Sequence, residues 1–350
     1  MNDFEDRLLA WYEQHGRRDL PWQHPRSPYR VWVSEVMLQQ TQVSTVIPYF
    51  ERFMASFPDV AALADATFDA VLEHWAGLGY YARARNLHGA AAVIRDRHDG
   101  KFPRGFEEVV ALPGIGRSTA GAILAQAFDE RHAILDGNVK RVLARFHAIE
   151  GPPTSARVLQ ALWERAEQHT PAQRAADYTQ AIMDLGATLC TRTKPRCGEC
   201  PLESCCAAHA LGRETDFPGR KAKKAKPLRV THMVLVRAGN ELFLERRPAS
   251  GIWGGLWSLP EVAASDAIAE WCRSRLGAVP ASVSEWHTLR HSFSHYDLDI
   301  RPVEVQLPPG SRTVADGDAG RWYDLGSPPG VGVAAPVRIL IDTLMTKGAG

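Results

Sequence analysis

Nowhere do the 350 residues approach the roughly 18 consecutive apolar positions that a membrane-spanning helix needs. The acidic opening MNDFEDRLLAWYEQ also lacks the basic and apolar regions of a secretory signal, so a soluble, intracellular, non-secreted protein is expected. An excess of one charge is missing as well. Lys and Arg number 41 against 40 Asp and Glu, so any nucleic-acid surface must come from local clustering rather than net charge. Cysteine is scarce, with six in all, yet five of them fall between Cys190 and Cys206. Without an export signal, that crowding favours a metal over disulfides. What is abundant is ordinary globular material: 45% hydrophobic and 23% charged residues exclude a disordered chain, and the length suits two domains.

Residues 1 to about 190 carry helical periodicity with short loops and no strand alternation. Asp59 and the Gly-rich GLGYY bracket one helix over VAALADATFDAVLEHW, and ARARNLHGAAAVIRDRH, closed by Gly100, forms another. Residues 213–228 combine Pro, Gly and the lysines of KAKKAK, the pattern of an exposed linker that could also touch phosphates. Beyond it the texture changes. VTHMVLV, RAGN and ELFLERR predict a hairpin, RWYDL a strand, and PVRILIDTLM a closing helix, together an α+β domain over 229–350.

Four stretches carry chemistry. In VWVSEVMLQQTQV, Glu35 is the lone charge among apolar residues and shares a helical face with Val31 and Leu38. Burial there requires that it be paired, hydrogen-bonded or protonated, which leaves a structural acid and a general acid of raised pKa both open. In LPGIGRSTAGAIL, Gly114 and Gly116 make a tight turn that exposes backbone N–H groups at a helix N-terminus, either a phosphate cradle or a plain connection. In ILDGNVKRVLARF, Asp136 stands where an N-cap belongs and is also placed to pair with Glu35. Finally, Cys190, Cys197, Cys200 and Cys206 run C-x6-C-x2-C-x5-C, which suits tetrahedral zinc or an iron–sulfur cluster, leaving Cys205 and Cys272 spare.

SEVMLQQTQV, GLGYYARARNL, LPGIGRSTAGAIL, LDGNVKRVLAR and the cysteine loop, in this order, resemble the endonuclease III superfamily of helix-hairpin-helix DNA glycosylases, and within it the MutY-type adenine-specific branch. The C-terminal portion is similar too, so the resemblance covers nearly the whole chain. It implies a mainly α catalytic region over 1–212, with the cluster loop at 190–206, and a Nudix-like α+β recognition domain after the linker. It implies base excision repair on double-stranded DNA by a monomer that flips out and removes adenine opposite 8-oxoguanine or guanine. Glu35 would be the general acid, Asp136 the transition-state stabiliser, and Asn138 a pocket residue near the sugar or the attacking water. The four cysteines would hold one 4Fe-4S cluster. DNA contacts would fall on Gln39, Gln40, Tyr80, Gly114, Gly116 and Ser118, with Arg83 and Arg85 meeting phosphates. In RHSFSHYDL, Phe293, Ser294 and His295 would probe the lesion.

Ser118 bears on the reaction class. Relatives that also cut the strand carry a Lys there, and a hydroxyl cannot form an imine, so a monofunctional glycosylase is implied. The rivals are a bifunctional pyrimidine glycosylase/lyase, disfavoured by Ser118, and a non-catalytic iron–sulfur DNA-binding module, disfavoured by the Glu35–Asp136 pair. After Pro260 the run EVAASDAIAEWCRSRLG lacks the glutamate-rich metal helix of Nudix hydrolases, so the Nudix resemblance extends to fold without that chemistry.

Overall fold

A computed structural model describes residues 3–221, 225–248, 251–308, 311, 320–326 and 331–348. The chain forms two compact units, Met1–Asp65 with Asn86–Lys223, and Ala66–Arg85 with Lys224–Gly350. Among the described residues no helix is long and apolar enough to cross a membrane.

Up to residue 210 the regular structure is helical: α1 (Asp3–His15), α2 (Pro28–Leu38), α3 (Val43–Ser56), α4 (Val60–Asp65), α5 (Phe68–Trp75), α6 (Ala82–Arg97), α7 (Phe106–Val110), α8 (Arg117–Phe128), α9 (Gly137–Phe146), α10 (Ala156–His169), α11 (Ala175–Thr188) and α12 (Ala207–Ala210). The single helix expected over 60–75 is two. Thr67 Oγ1 accepts a hydrogen bond from Ala70 N at 3.3 Å and starts α5 afresh, because a capping hydroxyl competes with continuation of the preceding helix.

Three features of the first unit position its site. Ser27 caps α2 with Pro28 at the first helical position, and Val31, Trp32, Val33, Val36 and Met37 are all buried, so this helix runs through the interior. Gly121 lets α8 pass against the extended segment before α9, since a Cβ there would stand 2.7 Å from the Ala133 carbonyl oxygen. Gly186 does the same for α11 against α9, where a Cβ would meet Asn138 Cβ at 2.6 Å. Phe4, Leu8, Leu143, Leu162, Ile182 and Leu185 centre the core beneath α9 and α11, with Cys190, Cys200 and Cys206 packed on it.

The second unit is built on a sheet of β1 (Leu228–Ala238), β2 (Glu241–Arg246), β3 (Trp257–Ser258), β4 (Glu261–Val262), β5 (Ser282–Glu285), β6 (Leu289–Ser292), β7 (Asp297–Gln306) and β8 (Gly320–Asp324). Its order is β3-β2-β1-β7-β5, with β4 on β1, β6 on β7 and β8 on β2; β1 and β7 run parallel and the other pairs antiparallel. Val234, Val236, Phe243, Val303 and Val305 meet Ile268, Cys272 and Leu276 of α13 (Ile268–Leu276), and α14 (Ala335–Gly348) closes the unit. Spare Cys272 is thus a core residue.

Two segments differ from the sequence reading. Residues 66–85 join the second unit, where Arg246 pairs with Asp69 at 2.9 Å and Tyr81 Oη donates to the Val333 carbonyl at 3.4 Å. The start of the expected linker is anchored, because Phe217 is buried in the core of the first unit. Within KAKKAK, residues 222–224 lie outside the described residues.

Candidate active site and cysteine centre

A cavity of about 870 Å³ opens in the first unit, with Glu35, Gln39, Ser118, Asp136, Asn138 and Gln180 in its wall. Glu35 retains partial exposure, toward this cavity, while apolar α2 residues surround it otherwise. Burial pushes its pKa up to about 7; the charge of Asp136 adds to the rise, and the Gln126 amide, which donates Nε2–H to Glu35 Oε1 at 2.8 Å, opposes it.

Asp136 caps α9, its Oδ1 accepting from Val139 N at 2.7 Å. Burial raises this carboxyl too, against the N–H groups of Val139 and Asn138 and the cations Arg141 and Lys140. The positive end of α9 further favours its anion. Glu35 therefore faces an amide, whereas Asp136 faces backbone donors, two cations and a helix terminus. Both carboxyls are raised by burial, but their partners differ: those of Asp136 favour its anion more than the single amide beside Glu35 does.

Asn138 Oδ1 accepts from Arg141 Nη2 at 2.8 Å, and Arg141 also donates to the carbonyls of Gly186 at 2.6 Å and Cys190 at 2.7 Å. Ser118 Oγ accepts from Leu135 N at 2.9 Å, tying α8 to the segment that carries Asp136. Among the described residues lining the cavity there is no lysine. Arg17, also in the wall, is locked by the buried Asp184 through contacts of 2.7–2.9 Å.

Gly114 has a left-handed φ of 78°, and exposed Gly116 is the N-cap of α8, with no side chain to cap that helix's first N–H groups. Gln40 is exposed with φ 60°, just past α2. In the second unit, Tyr80 is half-exposed at φ 49°. Arg83 and Arg85 differ from the phosphate-facing residues expected. Buried Arg83 donates to the carbonyls of Leu78 at 3.3 Å and Gly79 at 3.1 Å, and Arg85 donates to the Gly254 carbonyl.

Cys190, Cys197, Cys200 and Cys206 line one small cavity with Arg145 beside them. Burial pushes the thiols of Cys197 and Cys200 up to about 11 and 12, so a metal would have to draw off their protons. Buried Arg145 donates to Cys190 Sγ at 3.3 Å and to the carbonyls of Thr191 at 2.7 Å and Glu214 at 2.7 Å, bracing both sides of the loop. Among the described residues, the one group of three or more donors lying within 4.8 Å of one another is Cys197, His209 and Glu214. No three of the cysteine sulfurs come that close, whereas a single tetrahedral zinc with 2.3 Å bonds would hold its sulfurs about 3.8 Å apart. Cys205 is exposed and bonds Asp3 instead.

In the second unit, residues 293–296 form the turn between β6 and β7, closed by Phe293 N donating to the Tyr296 carbonyl at 2.9 Å. Ser294 and His295 are exposed at its tip, and half-buried Phe293 lies in an aromatic group with Trp253, His291 and Tyr296. On α13 the one glutamate, Glu270, is exposed and pairs with Arg273, so the metal-binding helix of Nudix chemistry is absent from the described residues.

Sequence reasoning missed Gln126, although its signal matches that of Glu35: one polar side chain in the apolar run AILAQAF, 3% exposed. It also missed Gln180 and Asp184, hydrogen-bonded to each other at 2.7 Å on α11.

Comparison with known proteins agrees with this geometry. Residues 33–189 match the HhH-GPD superfamily of base excision DNA repair proteins, and residues 231–343 match the NUDIX domain. Adenine DNA glycosylase of Buchnera aphidicola subsp. Acyrthosiphon pisum is 36% identical over 97% of each chain. That of Mus musculus is 35% identical, covering 88% of this chain and 73% of its own. Among solved structures, a thermostable thymine-DNA glycosylase superposes with a TM-score of 0.54 at 27% identity, over 59% of this chain and 95% of its own. The helical unit with its acid-lined cavity, the sheet unit and this full-length similarity place the chain in the adenine DNA glycosylase family, hydrolases that break N-glycosyl bonds in base excision repair.

Proposed function

We propose that this chain excises adenine paired with 8-oxoguanine, or with guanine, from duplex DNA, acting as a monofunctional glycosylase. The observation that carries the reading is the Glu35–Asp136 pair in one cavity, two half-buried carboxyls with unlike partners. The glycosidic bond is unreachable inside the stack, so the adenosine is flipped into the cavity. Bond breaking leaves negative charge on the departing base and an oxocarbenium-like sugar. Protonated Glu35 gives its hydrogen to an adenine ring nitrogen, N7, and ionised Asp136 stands against the sugar cation; Asn138, fixed by Arg141, helps place the water that completes hydrolysis. With Ser118 engaged by Leu135 N and no lysine among the described residues of the wall, no amine there competes with that water.

Gly114 and Gly116 present the α8 N-terminus to a phosphate. Gln39, Gln40 and Tyr80 serve the opened stack, and Phe293, Ser294 and His295 read the base opposite. The spread of the four cysteine sulfurs supports one 4Fe-4S cluster over a single zinc, held by Cys190, Cys197, Cys200 and Cys206. Bound there, the cluster would cross-link the loop after Cys190. A duplex bearing a single adenine–8-oxoguanine pair, incubated with the enzyme and then treated with alkali, tests the reading. Strand breaks at the adenine only after alkali are expected; breaks without alkali, or none at all, would overturn it.

A further inference from the structure

Around Gly251–Gly255 the chain uses positive φ three times: Gly251 at 90°, Gly255 at 79°, and between them Trp253 at 55°. For glycine this costs nothing; for a bulky L-residue the left-handed region costs about 1–2 kcal/mol. Such a conformation persists when its surroundings over-determine it. Here they do. Arg247 Nε donates to the Ile252 carbonyl at 3.0 Å, Leu256 N to the Trp253 carbonyl at 3.0 Å, and Gly255 N to the Pro248 carbonyl at 3.1 Å. The half-buried indole is thereby set with its centroid 5.3 Å from Phe293 and 5.6 Å from His291, and the Arg247 guanidinium lies 5.7 Å from the same centroid. His291 is itself 4.6 Å from Phe293, edge-on to it, and burial lowers its imidazole pKa.

We infer that Trp253 is a positioning residue for discrimination of the base opposite the excised adenine: its strained turn is a rigid platform that holds Phe293, and with it Ser294 and His295, in reading position. The inference rests on the assignment of residues 293–295 to lesion recognition. A flexible tip would lose conformational freedom on meeting the lesion, and a platform that orders it beforehand removes that cost from binding.

Adenine release under single-turnover conditions, from duplexes with adenine opposite 8-oxoguanine and opposite guanine, would be measured beside thermal melting for the wild type, Trp253→Gly, Trp253→Phe and Phe293→Ala. Glycine relieves the strain, so the melting temperature holds or rises, while the ratio of the two rates falls about three- to tenfold, as expected for loss of one aromatic pair. Phenylalanine restores most of that ratio, and Phe293→Ala lowers it further. An unchanged ratio in Trp253→Gly beside a collapsed one in Phe293→Ala overturns the inference and leaves the excision reading intact. An unchanged ratio in Phe293→Ala overturns the lesion-recognition assignment and this inference with it. Should glycine loosen the turn, Trp253→Asn decides in the same way, since asparagine tolerates the left-handed region without supplying a ring.

Discussion

Replacing Glu35 by Gln keeps the side chain's size but removes both the proton it gives and the charge it buries. In the folded protein the carboxyl takes up its proton at about 7 rather than 4.5. The folded state therefore keeps that proton over a range in which the unfolded chain has already lost it. The stabilisation is full below pH 4.5, declines as pH rises toward 7, and is gone above it. At about 1.4 kcal/mol per pH unit, wild type loses about 2.5 kcal/mol between pH 5 and pH 8 that Glu35→Gln does not lose. For a unit of this size that widens the gap between the two melting temperatures by about 5–10 °C in favour of the variant. Parallel melts at pH 5 and pH 8 read this directly. The chemistry moves oppositely. Wild-type adenine release falls about tenfold from pH 6 to pH 8 as the acid ionises, and the variant releases none while still binding the mispair. A gap that does not widen, or full turnover by Glu35→Gln, refutes the argument that burial keeps this acid protonated for catalysis.

Gln126→Leu removes the one amide that favours ionised Glu35; the alkaline limb of the pH–rate profile is expected to move up by about 1–2 pH units, the value of a hydrogen bond to a charged group. Asp136→Asn retains a side chain able to cap α9, so melting changes little, while single-turnover release falls by about two to three orders of magnitude. Arg145→Met strands a sulfur and several carbonyls beneath the cysteine loop; a loss of at least about 3 kcal/mol in denaturant melts, with reduced iron content, is expected. Alanine at both Ser294 and His295 is expected to lower the preference for adenine opposite 8-oxoguanine over adenine opposite guanine in competition assays, with melting unchanged because both side chains are exposed.

Legibility in the sequence followed the range of the interaction. Asp136 as the cap of α9 was readable because a cap acts within three residues. The break at Thr67 was equally local, but it was masked by apolar periodicity continuing on both sides. The acceptors of Arg83 and Arg85 left no local mark, because an arginine near a helix start looks the same whether it meets water or a carbonyl; they are set by how Leu78, Gly79 and the turn at Gly254 fold around them. The transfer of residues 66–85 to the second unit left no local mark, since ion pairs such as Arg246–Asp69 join positions 177 apart.

By itself the sequence determined which reagents this protein owns: a carboxylate set alone in an apolar helix, a second at a helix start, four thiols on one loop, a hydroxyl where an amine would change the reaction. Side-chain chemistry and short-range spacing need nothing else. Only the tertiary structure decided what state those reagents are in. That the Glu35 carboxyl is pushed up to about 7, that Gln126 from 91 residues away restrains the shift, and that the four cysteines gather around one small cavity depend on which distant segments displace water around each group. Desolvation and hydrogen bonding are properties of a surrounding, and a surrounding exists only once the chain has closed on itself.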